Sequence, residues 1–204
     1  HDLGKYEEAI EAYKKSISFK PDYSEAHHNL SFTFLKIIRK QEAVKKLVSL
    51  YNQGQIVSAI EQAEALTEQY PGAVVIWNVL GASRAKIGKL DEAIDAYKKC
   101  ISLKTDNAEV YFNMGIALKD QCKLDEALMS YNTAIKLKPN YAEAYCNKGG
   151  TLYDLGKYED AIEAYKKSIS LKPNYTEAYF NMGLALHYHD KLDEAIVAYN
   201  KTLL

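Results

Sequence analysis

Apolar and polar residues recur with helical spacing along the chain. Between 158 and 169, apolar residues fall three or four positions apart, with Glu, Lys and Asp between them. The members of this stripe are Tyr158, Ala161, Ile162, Tyr165 and Ile169. Such spacing predicts an amphipathic helix with one face toward a core. Gly156 before it and Pro173 after it predict turns, because glycine adopts left-handed conformations and proline lacks a backbone donor.

The same pattern returns every 34 residues. Glycines, alanines and tyrosines keep the interval, at Gly81, Gly115, Gly149 and Gly183, at Ala93, Ala127, Ala161 and Ala195, and at Tyr97, Tyr131, Tyr165 and Tyr199. The period defines units over 74–107, 108–141 and 142–175 and a shortened unit over 176–204. Each unit is predicted to be a hairpin of two helices. Small residues such as Gly149 and Ala161 are expected where the two helices cross.

These residues resemble the tetratricopeptide repeat, in which W-x-x-L-G-x-x-Y precedes A-x-x-x-F and P. WNVLGASR, YFNMGIAL, YCNKGGTL and YFNMGLAL carry the first half, and AIDAY, ALMSY, AIEAY and AIVAY carry the second. The departures Arg84, Thr105 and Lys148 are expected to loosen local packing. The units are similar to those of O-linked N-acetylglucosamine transferases and bacterial tetratricopeptide proteins.

The resemblance implies an all-α, right-handed α-solenoid of antiparallel helix hairpins, about 12 helices in total. In this family the first helices of the units line a concave groove that binds peptides or partner proteins. The resemblance therefore implies that the partner of this chain is a protein or an extended peptide.

The period breaks near the start of the chain. Nearly identical segments begin at Gly4 and Gly156, which are 152 residues apart, 16 more than four periods of 34. The surplus lies between 24 and 73, where two arrangements fit: an irregular hairpin, or one fused helix from about 25 to 53 that no Gly or Pro interrupts. We predict a partial array over 1–39, an irregular unit over 40–73 and a regular array over 74–204.

Composition and charge argue against several classes of function. The formal net charge of −1 gives no general attraction to nucleic acid or to a membrane surface. Cys100, Cys122 and Cys146 lack C-x-x-C spacing, which favours free thiols in a reducing, cytoplasmic location over disulfides or zinc. Neither the histidine spacing nor any sequence motif indicates a metal, a cofactor or an active site. The chain is therefore predicted not to be an enzyme.

Groove-facing residues follow i, i+3, i+4, i+7 spacing in the first helix of each unit. The candidates that could contact a peptide are Glu109, Phe112, Asn113 and Lys119, then Glu143, Asn147 and Tyr153, then Glu177, Phe180, Asn181 and His187. Ile116, Cys146, Gly150 and Leu184 share the same face. The resemblance to the transferases implies that the three asparagines form a ladder that holds a peptide backbone. Packing between helices is the alternative role for them.

Three functions fit this sequence. The first is a scaffold for protein interactions. The second is the substrate-recruiting arm of a larger enzyme, such as a glycosyltransferase or a sulfotransferase. The third is a homotypic assembly element, with copies stacked end to end through uncapped solenoid ends. Within the first, recurrent glutamate in place of the family's lysine, arginine and asparagine clamp predicts weak binding to acidic C-terminal tails.

Overall fold

The structure is a computed structural model that describes residues 2–103 and 106–203. These residues form eleven α-helices and no strand, which confirms an all-α solenoid of tetratricopeptide type. The number is one below the predicted twelve because one predicted pair is a single helix. Thr105, one of the departures from the repeat pattern, lies outside the described residues.

The chain divides into two compact units, His1–Ile87 and Gly88–Leu204. The first contains α1 (Asp2–Phe19), α2 (Ser24–Asn52), α3 (Ile56–Gln69) and α4 (Val74–Lys86). The second contains α5 (Leu90–Ser102), α6 (Ala108–Asp120), α7 (Leu124–Leu137), α8 (Ala142–Asp154), α9 (Tyr158–Leu171), α10 (Thr176–Tyr188) and α11 (Leu192–Asn200).

In the first unit, the 29-residue helix α2 corresponds to the fused-helix alternative. No Gly or Pro occurs between Ser24 and Asn52, so nothing in the local sequence forces a turn. Helix α1 packs against α2, and α2 also packs against α3 and α4. Residues 39 and 40 lie inside α2. The boundary between the two compact units falls later in the sequence, between Ile87 and Gly88. The proposed repeat boundaries at 39/40 and 73/74 stay predictions.

In the second unit, each helix packs against its neighbours in sequence, and the hairpins are closed by a glycine against a tyrosine ring. A Cβ atom on Gly149 would lie 2.7 Å from Cε1 of Tyr165. A Cβ atom on Gly115 would lie 2.6 Å from Cε1 of Tyr131, and one on Gly183 would lie 2.5 Å from Cε1 of Tyr199. All three approaches are closer than carbon atoms tolerate, so only glycine lets the two helices cross at this distance.

The turns between paired helices require a left-handed residue. Gly54, Gly88 and Gly156 have φ of +75°, +77° and +73°, and Cys122 and Asp190 occupy the same turn position with φ of 59° and 58°. The repeat geometry therefore imposes this conformation even where the residue has a Cβ atom. Such a conformation costs a non-glycine residue about 1–2 kcal/mol.

Replacing Cys122 by glycine should therefore stabilise the protein. The strain that it relieves exceeds the entropy that glycine adds to the unfolded chain, so we expect a gain of about 0.5–1 kcal/mol in unfolding free energy. Urea denaturation followed by circular dichroism measures it. Cys122→Ala is the matched control, because it removes the thiol and keeps the Cβ atom. If glycine and alanine gave the same stability, the backbone conformation would not be the cause.

Candidate functional site

Helices α6, α8 and α10 form the inner layer of the second unit. In this layer α6 contacts α8 and α8 contacts α10, whereas α7, α9 and α11 make no comparable contacts with one another within the described residues. The more closely spaced layer lies on the inside of the curve of the array. All eleven predicted groove residues belong to these three helices. Their open side is called the inner face below.

The recurrent asparagines are partly buried. Nδ2 of Asn147 donates to the backbone oxygen of Glu143 at 3.0 Å, within α8. The side chain of Asn181 lies near the thiol of Cys146 and partly offsets the rise in its pKa, and this contact joins α10 to α8. These contacts serve packing. Because an amide has two protons and a carbonyl oxygen, one such bond leaves capacity for a peptide.

Gly150 lies at the centre of the inner face. The flanking units carry Ile116 and Leu184 at the equivalent position, 34 residues away on either side. A Cβ atom on Gly150 would lie 3.1 Å from Nζ of Lys119 and 3.6 Å from the hydroxyl of Tyr165. The absence of a side chain at this position therefore leaves a recess in the helix surface, which the ammonium of Lys119 occupies beside the hydroxyl of Tyr165.

An ion pair crosses the recess. Nζ of Lys119 lies 3.2 Å from Oδ2 of Asp154, and the two side chains are 31% and 41% exposed. Since water screens a pair this exposed, it contributes about 0–1 kcal/mol to stability and its groups can exchange partners. Asp154 was not among the predicted residues. The available signal was its spacing of 35 residues from Lys119, which places it on the next inner helix.

Cys146 is a small side chain of the helix layer and is not placed to react. Only 2% of its surface is exposed, and burial, followed by the charge of Glu177, raises the pKa of the thiol to about 11. The thiolate, which is the reactive form, is therefore a minor species near neutral pH.

Aromatic rings line both ends of the inner face. At one end, the ring centroids of Tyr153, Tyr158 and Tyr188 lie 5.6 to 5.7 Å from one another, and His187 lies 5.6 Å from Tyr188. Near the other end, the ring centroids of Phe112 and Tyr141 lie 4.9 Å apart. Phe180 is 48% exposed. These rings offer apolar contact area with little conformational freedom to lose on binding.

Carboxylates recur along the edge of the inner face. Glu109 and Glu177 are exposed, and Glu143 is partly buried. Oε1 of Glu143 accepts from Nζ of Lys172 at 3.2 Å. The backbone N–H of Glu143, and to a lesser extent Lys172, holds the pKa of this carboxyl below its usual value. The edge therefore carries negative charge at neutral pH.

Among the described residues, no group of three His, Cys, Asp or Glu side chains is arranged to hold a metal ion. None of the helices in the described part combines the length and the apolar character that crossing a membrane requires.

Comparison with known proteins places the chain among repeat proteins. The profile of the TPR repeat family matches residues 1–37, 81–122, 117–153 and 149–190. The peroxisomal targeting signal receptor of Candida albicans (strain SC5314 / ATCC MYA-2876) is 31% identical over 70 residues, 34% of this chain and 12% of the receptor. The receptor of Candida glabrata is 24% identical over 104 residues, 48% of this chain and 18% of the receptor. The chain thus spans less than a fifth of these relatives.

Solved structures of similar fold cover more of the chain. The crystal structure of MamA is 32% identical, with a TM-score of 0.71 over 76% of this chain and 91% of MamA. The structure of YrrB, described as a TPR protein with an unusual peptide-binding site, has a TM-score of 0.67 over 95% of this chain and 92% of YrrB. Its identity is 18%, so the likeness shows the fold alone.

Proposed function

Because the chain belongs to the tetratricopeptide repeat family, we propose that it is a non-catalytic scaffold. It binds an extended peptide of a partner protein along the inner face of α6, α8 and α10. Two comparisons support a peptide as the partner. YrrB has a peptide-binding site on a similar fold, and the Candida relatives are receptors for a targeting signal.

The recess at Gly150 is the observation that carries this proposal. A peptide main chain can approach the helix closely there, because Gly150 has no side chain and the Lys119 ammonium above it is the mobile end of a flexible side chain. The ammonium of Lys119 can then donate to a peptide carbonyl oxygen, and Asp154 can accept from a peptide N–H. Asn147, one turn earlier on α8, offers a donor and an acceptor of the same kind. The site would thus hold a peptide mainly by its backbone.

A peptide selected from a random library displayed on phage provides the probe for this site. Isothermal calorimetry should show a loss in affinity of about tenfold or more for Gly150→Leu, because leucine fills the recess. Leucine is already present at the equivalent Leu184, so the fold accepts it there. If several independently selected peptides bound the variant as tightly as the wild type, the inner face would not be the binding site.

The negative charge of the inner face should make acidic peptides bind more weakly than neutral ones. Because Glu109, Glu143 and Glu177 recur along the face, a peptide ending in Glu-Glu-Val-Asp should bind more weakly than micromolar Kd. Fluorescence anisotropy with a labelled peptide measures this. A peptide of the same length in which glutamine replaces both glutamates is the matched control and should bind more tightly. A micromolar or tighter complex with the acidic peptide would contradict the charge argument.

A further inference from the structure

The second unit carries a second set of grooves on the face opposite to the inner face. One cavity of 440 Å³ lies between α7 and α9, with α8 as its floor, and another of 370 Å³ lies between α9 and α11, with α10 as its floor. They are called the α7–α9 and α9–α11 outer grooves. Tyr145, Leu152 and Lys167 line the first, and their equivalents 34 residues later, Tyr179, Leu186 and Lys201, line the second.

The two outer grooves differ in chemistry at three of their shared positions. Lys148 and Glu163 line the α7–α9 groove, and Met182 and Val197 replace them in the α9–α11 groove. These two charges are thereby lost from the later groove, which has Lys166 at its edge where the earlier groove has Asn132. The later groove presents an almost wholly apolar surface, with polar groups only at its rim.

The α9–α11 groove is distinct from the end of the solenoid. Val197 is 61% exposed, and the equivalent Met129 is 66% exposed although further helices follow it. This position thus faces solvent whether or not another hairpin comes next. Ile196 behaves differently, since it is 58% exposed whereas its equivalent Ile162 is 4% exposed beneath the following helix. Ile196 belongs to the end surface, and Val197 belongs to the outer groove.

We infer that the α9–α11 outer groove binds an amphipathic helix of a partner protein. Its floor residues Tyr179, Met182 and Leu186 follow i, i+3, i+7 spacing along α10. Tyr179 and Met182 are partly exposed and form a short apolar strip, and Leu186, 2% exposed, closes its base. A helix with aliphatic residues at the same spacing fits such a strip, as ridges fit into grooves. A volume of 370 Å³ admits a few side chains of such a helix.

The rim charges set the direction of the bound helix. Asp193 and Glu194 lie at the start of α11, and Lys201 follows its end, beside Lys166 on α9. The partner helix should therefore place basic residues over the two carboxylates and acidic residues over the two lysines. An acidic N-terminus and a basic C-terminus also suit a helix dipole, so the bound helix should run antiparallel to α11.

A synthetic 14-residue helical peptide provides the probe. It carries leucines at i, i+3, i+7 and i+10, glutamates at its N-terminus and lysines at its C-terminus. Calorimetry should detect binding, and the methyl resonance of Met182 should shift, which is easily followed because the chain has three methionines. A peptide of equal composition with scrambled leucine positions is the control and should not bind. Exchanging the acidic and basic ends should weaken binding; equal affinity would overturn the assigned direction.

The repeat itself supplies the matched variants. Met182→Lys combined with Val197→Glu installs the residues found at 148 and 163, so the fold should tolerate them, and affinity should fall by about tenfold or more. Lys148→Met combined with Glu163→Val should raise the number of peptides bound by one. Gly150→Leu, on the opposite face, should leave binding of this peptide unchanged, which separates this proposal from the peptide site of the inner face.

Two results would overturn the inference. One is unchanged affinity of the double variant at 182 and 197. The other is failure of the peptide to bind while light scattering shows wild-type dimers that the same double variant abolishes. In that case the occupant of the groove would be a second copy of the chain.

Discussion

Replacing Gly149 by leucine should lower the free energy of unfolding by more than about 2 kcal/mol. Its Cβ atom alone would lie 2.7 Å from the buried ring of Tyr165, and the remaining three carbons have no space between α8 and α9. Since packed helices cannot move apart without losing contacts elsewhere, the strain cannot be relieved locally. Urea denaturation followed by circular dichroism gives the change in stability.

Gly150→Leu is the matched control, because it makes the same substitution in the next residue of the same helix. A Cβ atom there meets the flexible end of Lys119 rather than a packed ring. Leucine also has the higher helix propensity, so stability should stay unchanged or rise by up to about 1 kcal/mol. Equal stability of the two leucine variants would show that the crossing at Gly149 is not the constraint on this hairpin.

The triple replacement of Asn113, Asn147 and Asn181 by alanine should weaken capture of a phage-selected peptide by about tenfold or more. Each asparagine belongs to one of the three inner-layer helices. An amide can hold a peptide backbone without reading its side chains. The helical signal and the melting temperature should stay close to those of the wild type. Calorimetry and thermal denaturation of the same samples measure both effects.

Asn29→Ala is the control for the asparagine prediction, because Asn29 occupies the same repeat position in the first unit. It should leave peptide affinity unchanged. Parallel losses of stability and affinity in the triple variant would support the packing role, for which the contact between Asn181 and Cys146 gives a physical basis. Unchanged affinity would remove the asparagines from the site.

The regular hairpins could be predicted because one period repeats both the apolar stripe and the glycine–tyrosine crossing. The region around α2 left two alternatives, since helical spacing continues through residues 24–52 whether the chain turns or not. Only the tertiary packing against α1, α3 and α4 distinguishes them. Local sequence likewise gave no reason to place Cys122 and Asp190 in left-handed turns. There the repeat geometry overrides residue preference.

The candidate site was predictable as a set of positions and not as a set of contacts. Helical spacing separates Gly149, which faces α9, from Gly150, which lies on the inner face, although they are adjacent. The pair between Lys119 and Asp154 depends on how α6 lies against α8, which no spacing within a helix encodes. The apolar outer groove depends on α9, α10 and α11 together and was missed for the same reason.

The proposed function places an extended peptide along α6, α8 and α10. Photo-crosslinking tests it most directly: a phage-selected peptide carrying a benzophenone group at its centre is irradiated with the protein, and the attached residues are identified by mass spectrometry. We expect attachment near Gly150, on inner-face residues such as Lys119 and Tyr153, and its loss in Gly150→Leu. Attachment confined to α5, α7 and α9 would contradict binding along the inner face.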